Sequence, residues 1–247
     1  MFKSPLSLLA FASLACAGTI PQWIAPTADA VRSPCPMLNS LANHGVISRD
    51  GKNIKPSEYL AAVKSVGLAT DVGSLFAYGG AVLFDHEFNA DGDLVYSLAD
   101  ARKHNAVEHD ASLSRNDADL ANGDNYSFNR TLYDQMVSSA NVNGAMDAWS
   151  FAQIRVARQQ DSLARNPKAK LGFTEQLKSH AEVGLIMNIL GWQKGATEVP
   201  IQYLHAFFVE ERLPFNEGWT PSSSPVGFAK IIKTQREVEK LEKRVHQ

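Results

Sequence analysis

Ser33-Pro34-Cys35-Pro36-Met37-Leu38 reads as the start of a helix with a cysteine at its mouth. Pro36 suits the first helical position, since its fixed φ fits and its missing N–H would go unpaired there anyway. Cys35 then takes the N-cap, where the free amides of Met37 and Leu38 point at the sulfur. Those amides and the helix dipole both favour a thiolate over a thiol. The competing reading of a free cysteine is a small buried hydrophobe.

Helical signals continue outward from this stretch. Ser57 can cap a helix from Glu58 to about Val66, with Gly67 as its stop. Met146 to Leu163 carries apolar residues at helical spacing and ends before Asn166-Pro167. Thr174 can cap a helix running to Leu190, with Gly191 just beyond it, and Pro200 opens another from Ile201 to Glu211. Period-2 alternation is scarce, and no two candidate strands are joined by a hairpin turn. Residues 85–125 are dense in Asp, Asn and Gly and read as surface loops with short helices. After the break at Pro221-Ser222-Ser223-Ser224-Pro225, Phe228 to Val245 is a charged amphipathic helix, expected to pack one apolar stripe on the domain rather than to bind a partner. The expected class is all-α: a single helical domain with long loops and a C-terminal amphipathic helix. The expected divisions are 1–17, 18–225 and 226–247.

The first of these is expected to be a signal peptide. Lys3 supplies a positive n-region, Leu6 to Leu14 an apolar run of about nine residues, and Ala15-Cys16-Ala17 a small-residue cleavage site. No later segment reaches the roughly 18 apolar residues of a spanning helix, so a secreted protein with no membrane partner is expected. Loss of Cys16 would leave Cys35 as the lone cysteine, unable to form an internal disulfide. Two sequons, Asn125-Tyr126-Ser127 and Asn129-Arg130-Thr131, lie in a polar stretch expected to be exposed and open to glycosylation. A net charge of −2 with no basic patch gives no electrostatic case for nucleic acid.

Two further clusters carry chemistry. Glu108-His109-Asp110 places two carboxylates around an imidazole, and Ser112 follows Glu108 by one helical turn. A carboxylate and a hydroxyl sharing one side offer hard oxygens suited to Mg²⁺ or Mn²⁺, the alternative being an exposed polar turn. Glu182 shares a helix face with Leu185, Ile186 and Ile189. A carboxylate there is costly unless functional, and burial would raise its pKa toward proton-transfer duty; the alternative is a boundary glutamate reaching solvent.

Four motifs resemble those of the haem-thiolate peroxidase family, which contains chloroperoxidase and the unspecific peroxygenases. They are Ser33-Pro34-Cys35-Pro36, Ala42-Asn43-His44-Gly45 with Arg49-Asp50-Gly51-Lys52, Glu108-His109-Asp110-Ala111-Ser112-Leu113-Ser114-Arg115, and Glu211-Arg212-Leu213-Pro214-Phe215-Asn216. The resemblance covers about Ser33 to Trp219, and Glu-His-Asp places the chain with the short subfamily. It implies a helical domain enclosing haem b, with Cys35 as the iron's proximal thiolate ligand. It implies that Glu108, Ser112 and the His109 carbonyl hold Mg²⁺ or Mn²⁺ beside a haem propionate. It makes Glu182 the distal acid-base group, oriented by His109, which Asp110 helps to fix.

The implied function is a secreted, H2O2-dependent peroxygenase that hydroxylates, epoxidises or oxidises small apolar or aromatic organic substrates. A haloperoxidase on the same haem site is the alternative, and a non-catalytic secreted haem-binding protein a weaker one. A cofactor-free hydrolase is disfavoured because the chain has no Gly-x-Ser-x-Gly. With no C-terminal cysteine of the kind that links subunits in some short members of the family, a monomer or a non-covalent dimer is expected.

Overall fold

The computed structural model describes residues 20–83 and 87–245, so the expected leader at 1–17 lies outside the described residues. The helices are α1 (Pro36–His44), α2 (Pro56–Ser65), α3 (Thr70–Leu83), α4 (Arg130–Ser138), α5 (Ala148–Arg165), α6 (Phe173–Leu190), α7 (Ile201–Leu204) and α8 (Phe228–Val245). The class is mostly α rather than all-α, because two small antiparallel sheets accompany the helices. In one, β1 (Glu87–Phe88) pairs with β2 (Leu94–Val95), with Glu87 opposite Val95. In the other, β3 (Ala145–Asp147) pairs with β4 (Glu198–Pro200), with Met146 opposite Val199. No helix among the described residues is long and apolar enough to cross a membrane.

Several sequence expectations need correcting, each for a local reason. β1 and β2 do form a hairpin, invisible to periodicity because each strand has two residues. Asn89 closes its turn, its Oδ1 accepting from the amides of Asp91 and Asp93. α2 begins at Pro56, ahead of the predicted Ser57 cap, and Glu58 Oε2 accepts from the Lys55 amide at 3.0 Å. The predicted helix from Ile201 to Glu211 is α only to Leu204, continues as a π-helix over His205–Val209, and gives way to a left-handed Glu211 (φ 46°). α4 lies where only sequons were expected: Asn129 caps it, its side chain accepting from the Leu132 amide. Asn125 is not exposed but 1% accessible, with Nδ2 donating to the Arg102 carbonyl.

α5, α6 and α8 form the packed body that carries Glu182. Asp147 caps α5 by accepting from the Ser150 amide, and β3 leads straight into it. Phe151 and Ile154 of α5, Val183 and Met187 of α6, and Ile231 and Val238 of α8 meet in the core. Gly184 permits the close approach of α6 and α8, since a Cβ there would lie 2.9 Å from Ile231 Cγ2 and 3.0 Å from its carbonyl oxygen. The C-terminal helix therefore packs its apolar stripe on the domain, as expected.

A buried polar lock joins the same three helices. Arg155 Nε donates to Glu242 Oε1 at 2.5 Å, and other Arg155 nitrogens reach Ser179 and Gln176. His180 Nε2 lies 2.9 Å from Glu242 Oε2. Burial pushes the Glu242 pKa up, but the His180 hydrogen bond and the Arg155 charge outweigh it and hold it below the usual glutamate value. The stabilisation is therefore present above the unfolded carboxylate pKa and is lost as pH falls through the lower folded one. Glu242→Ala leaves Arg155 buried without its carboxylate and is expected to cost about 3–5 kcal/mol in urea denaturation at neutral pH, with a smaller difference at strongly acid pH.

Candidate active site

Cys35 occupies the N-cap of α1 with φ −80° and ψ 112°, and Pro36 is the first helical residue. The cysteine is free and half-buried. One side chain secures the loop before it: Asn39 Oδ1 accepts from the Ser33 amide at 2.8 Å, while Nδ2 donates to the Ser33 carbonyl at 2.8 Å and to Glu211 Oε1 at 2.7 Å. Burial pushes the Cys35 thiol up; the Leu38 and Met37 amides and Arg115 oppose it, and Glu182 adds to it. The amides act on the sulfur in the predicted direction, but no capping hydrogen bond closes on it, and desolvation wins. The helix start alone thus does not make this thiol a thiolate; coordination to a cation would.

His109 and Glu182 meet, as the resemblance implies. His109 Nε2 lies 3.3 Å from Glu182 Oε2, an ion-pair contact that lacks the alignment of a hydrogen bond. His109 is 1% accessible and its Nδ1 is 2.7 Å from the Asp110 carbonyl, so Nδ1–H donates there and Nε2 is left toward the carboxylate. Burial lowers the His109 pKa, but the Glu182 charge and contact and the Asp110 carbonyl prevail and raise it. The imidazolium therefore persists below that raised pKa and is lost as pH rises through it. Asp110 thus fixes His109 through its backbone; its own carboxylate accepts from the Lys170 amide and is pushed up by burial.

Glu182 is less buried than its helix face predicts. Its side chain is 45% exposed, because α6 turns Val183 and Met187, not the Glu182–Leu185–Ile186 side, into the core.

Glu108 and Ser112 are not on a helical turn: residues 107–116 are non-helical, and Ala111 is left-handed at φ 61°. The bend still brings two expected ligand atoms together, Ser112 Oγ donating to the His109 carbonyl at 3.0 Å. Glu108 Oε2 takes His104 Nδ1 at 2.9 Å, while Oε1 is buried with no hydrogen-bond partner, and burial raises the pKa. The orphaned Glu108 oxygen, the Ser112 hydroxyl and the His109 carbonyl are donors of the type a hard cation takes, although no group of three His, Cys, Asp or Glu side chains gathers to hold one among the described residues. A surface depression of about 320 Å3, lined by Arg32, Asn39, Phe128 and Glu211, has neither Cys35 nor Glu182 in its wall.

The supporting residues Asp117 and Arg158 escaped the sequence reading. Asp117 Oδ1 accepts from the strained Ala111 amide at 2.9 Å, and its other oxygen takes Ser162 and Asn166. Arg158 Nε donates to the Ser112 carbonyl at 3.0 Å. Neither residue forms a pattern along the chain. Asn39, by contrast, follows Cys35 by one helical turn, a spacing that could have flagged it.

Residues 21–224 match the family described as "Peroxidase, family 2". The chain belongs to this family. Membership of the haem-thiolate peroxidases implies haem iron, and the free Cys35 at a helix start is the donor that fits it. The chain is 30% identical over 217 residues to a chloroperoxidase of Leptoxyphium fumago, covering 83% of this chain and 58% of that protein. It is 28% identical over 202 residues to an aromatic peroxygenase of Cyclocybe aegerita, covering 74% and 53%. An aromatic peroxygenase of Coprinellus radians is 32% identical over 161 residues, covering 56% and 58%. The chain thus spans a little over half the length of these curated relatives.

In this member of the family the loop clamp is testable by stability. Asp117 and Arg158 are 1% and 2% exposed with 3.8 Å between their charges. Asp117→Ala is expected to lower unfolding stability by about 1–3 kcal/mol in chemical denaturation, because the Ala111 amide, Ser162 and Asn166 lose a buried acceptor while Arg158 keeps Asp161.

Proposed function

We propose that this protein is a secreted haem-thiolate peroxygenase, which uses H2O2 to oxidise small apolar or aromatic organic molecules. The observation that carries the reading is Cys35, free at the start of α1, in a chain that also pairs Glu182 with His109 at 3.3 Å. The helical domain would enclose a haem b, with Cys35 as the sulfur ligand. Glu108, Ser112 and the His109 carbonyl would hold Mg²⁺ or Mn²⁺ near it. The chemistry such a haem supplies is activation of peroxide at iron, with the electron-rich thiolate favouring O–O cleavage.

The chain's own residues supply proton management. Glu182 Oε2 would accept a proton from peroxide and hand it back to the oxygen that leaves as water. His109 keeps this carboxylate aimed by the ion pair, and the Asp110 carbonyl keeps His109 from turning. The 45% exposure of Glu182 leaves it reachable by a small molecule. The second reading, a haloperoxidase, is favoured by the match to a chloroperoxidase over 83% of this chain.

The reduced-CO spectrum tests the reading directly. A red-shifted Soret band in the wild type, absent from Cys35→Ala, is expected; its survival in Cys35→Ala sinks the ligand assignment. Glu182→Gln is expected to keep haem and the thiolate spectrum while peroxide turnover falls roughly 10²–10⁴-fold, the usual worth of a positioned acid-base group. Parallel assays of aromatic hydroxylation and halide-dependent chlorination separate the two readings.

A further inference from the structure

Arg115 is a buried cation that the proposed proton transfer does not use. Its side chain is 3% exposed, and only NH2 has a strong partner, Glu211 Oε1 at 2.8 Å. NH1 makes only long contacts of 3.4 Å to Ser114, and Nε has no hydrogen-bond partner. One charge-assisted contact leaves much of the guanidinium's charge unspent, and an arginine does not lose its proton. Arg115 joins the Cys35 loop through Glu211, whose Oε1 it shares with Asn39.

Glu211 is held as though its direction mattered. It is left-handed at φ 46°, a conformation that costs a residue with a Cβ about 1–2 kcal/mol. Its carbonyl is tied down by Trp23 Nε1 at 3.2 Å and Asn43 Nδ2 at 3.1 Å. This turns the carboxylate inward, so that Oε1 takes both Arg115 and Asn39 Nδ2. Asn39 in turn grips Ser33, whose hydroxyl accepts from the Cys35 amide at 3.2 Å. Strain that is over-determined in this way is a mark of a functional position.

We propose that Arg115 and Glu211 are positioning residues for Cys35: Glu211 holds the Cys35 loop through Asn39, and Arg115 brings a partly uncompensated positive charge to that same network. The consequence rests on the haem-thiolate reading. Charge and hydrogen bonding around an axial sulfur set how strongly it donates to iron, and thereby the iron's reduction potential. Because the two residues carry opposite charge, their removal acts with opposite sign. A cation near the site favours the reduced iron; a carboxylate favours the oxidised one.

Spectroelectrochemistry of the haem-loaded wild type, Arg115→Met, Arg115→Lys and Glu211→Gln reads this out. The potential is expected to shift negative in Arg115→Met, to shift positive in Glu211→Gln and to stay near wild type in Arg115→Lys. Residues that merely stabilise the fold would change haem content and melting temperature without this sign reversal. Shifts of the same sign, or none, in proteins that keep the thiolate band overturn the proposal. If Arg115→Met does not load haem, a Glu211→Gln potential at or below that of Arg115→Lys overturns it equally. A wild type without the thiolate band fails the haem-thiolate reading itself; a wild type with the band and variants without the sign reversal fails this inference alone.

Discussion

The grip of Asn39 on Ser33 is the contact on which the rest of the site depends. Through it a single buried amide closes the loop before α1, aims Cys35 at the helix mouth and recruits Glu211 from 172 residues away. A buried amide of this kind has no alternative partner, so losing any one of its bonds exposes a desolvation cost as well as the bond itself. The result is a sulfur whose position is determined by hydrogen bonds but whose charge is not. Burial opposes ionisation more strongly than the helix-end amides favour it, so the thiolate depends on the cation it meets.

The opposite wall is built by a different device. His109, Ala111 and Ser112 sit on irregular backbone, and the groups that hold them are buried charges on or beside α5. Asp117 and Arg158 each give the loop one backbone hydrogen bond, while their mutual attraction offsets part of the cost of burying both. Glu182 comes from α6, which α8 braces through Gly184 and the Arg155–Glu242 lock. The His109–Glu182 contact is thus the meeting of a clamped loop and a braced helix, and Arg115, three residues after Ser112, ties that loop to the Cys35 side.

Along the chain, what could be read was what depends on near neighbours. Pro36 and Gly191 marked a helix start and a helix end correctly because they act on their own backbone. The Ser57 and Thr174 caps were each placed two residues late because Pro56 and Phe173 begin their helices first. The hairpin of β1 and β2 escaped because two-residue strands carry no period, and the left-handed Glu211 because long-range contacts from Trp23 and Asn43 impose it.

The identities and order of Cys35, Glu108, His109, Asp110, Ser112 and Glu182, and with them the family, are properties of the chain written in a line. Periodicity and helix-end chemistry also settle the mostly helical class without reference to distant residues. How deeply each group is buried is another matter. That Glu182 is half exposed, that Asp110 works through its carbonyl, and that Cys35 is pushed toward the thiol all follow from which helix face meets which neighbour. Desolvation and through-space charge depend on distances between residues far apart in the chain, and only packing determines those.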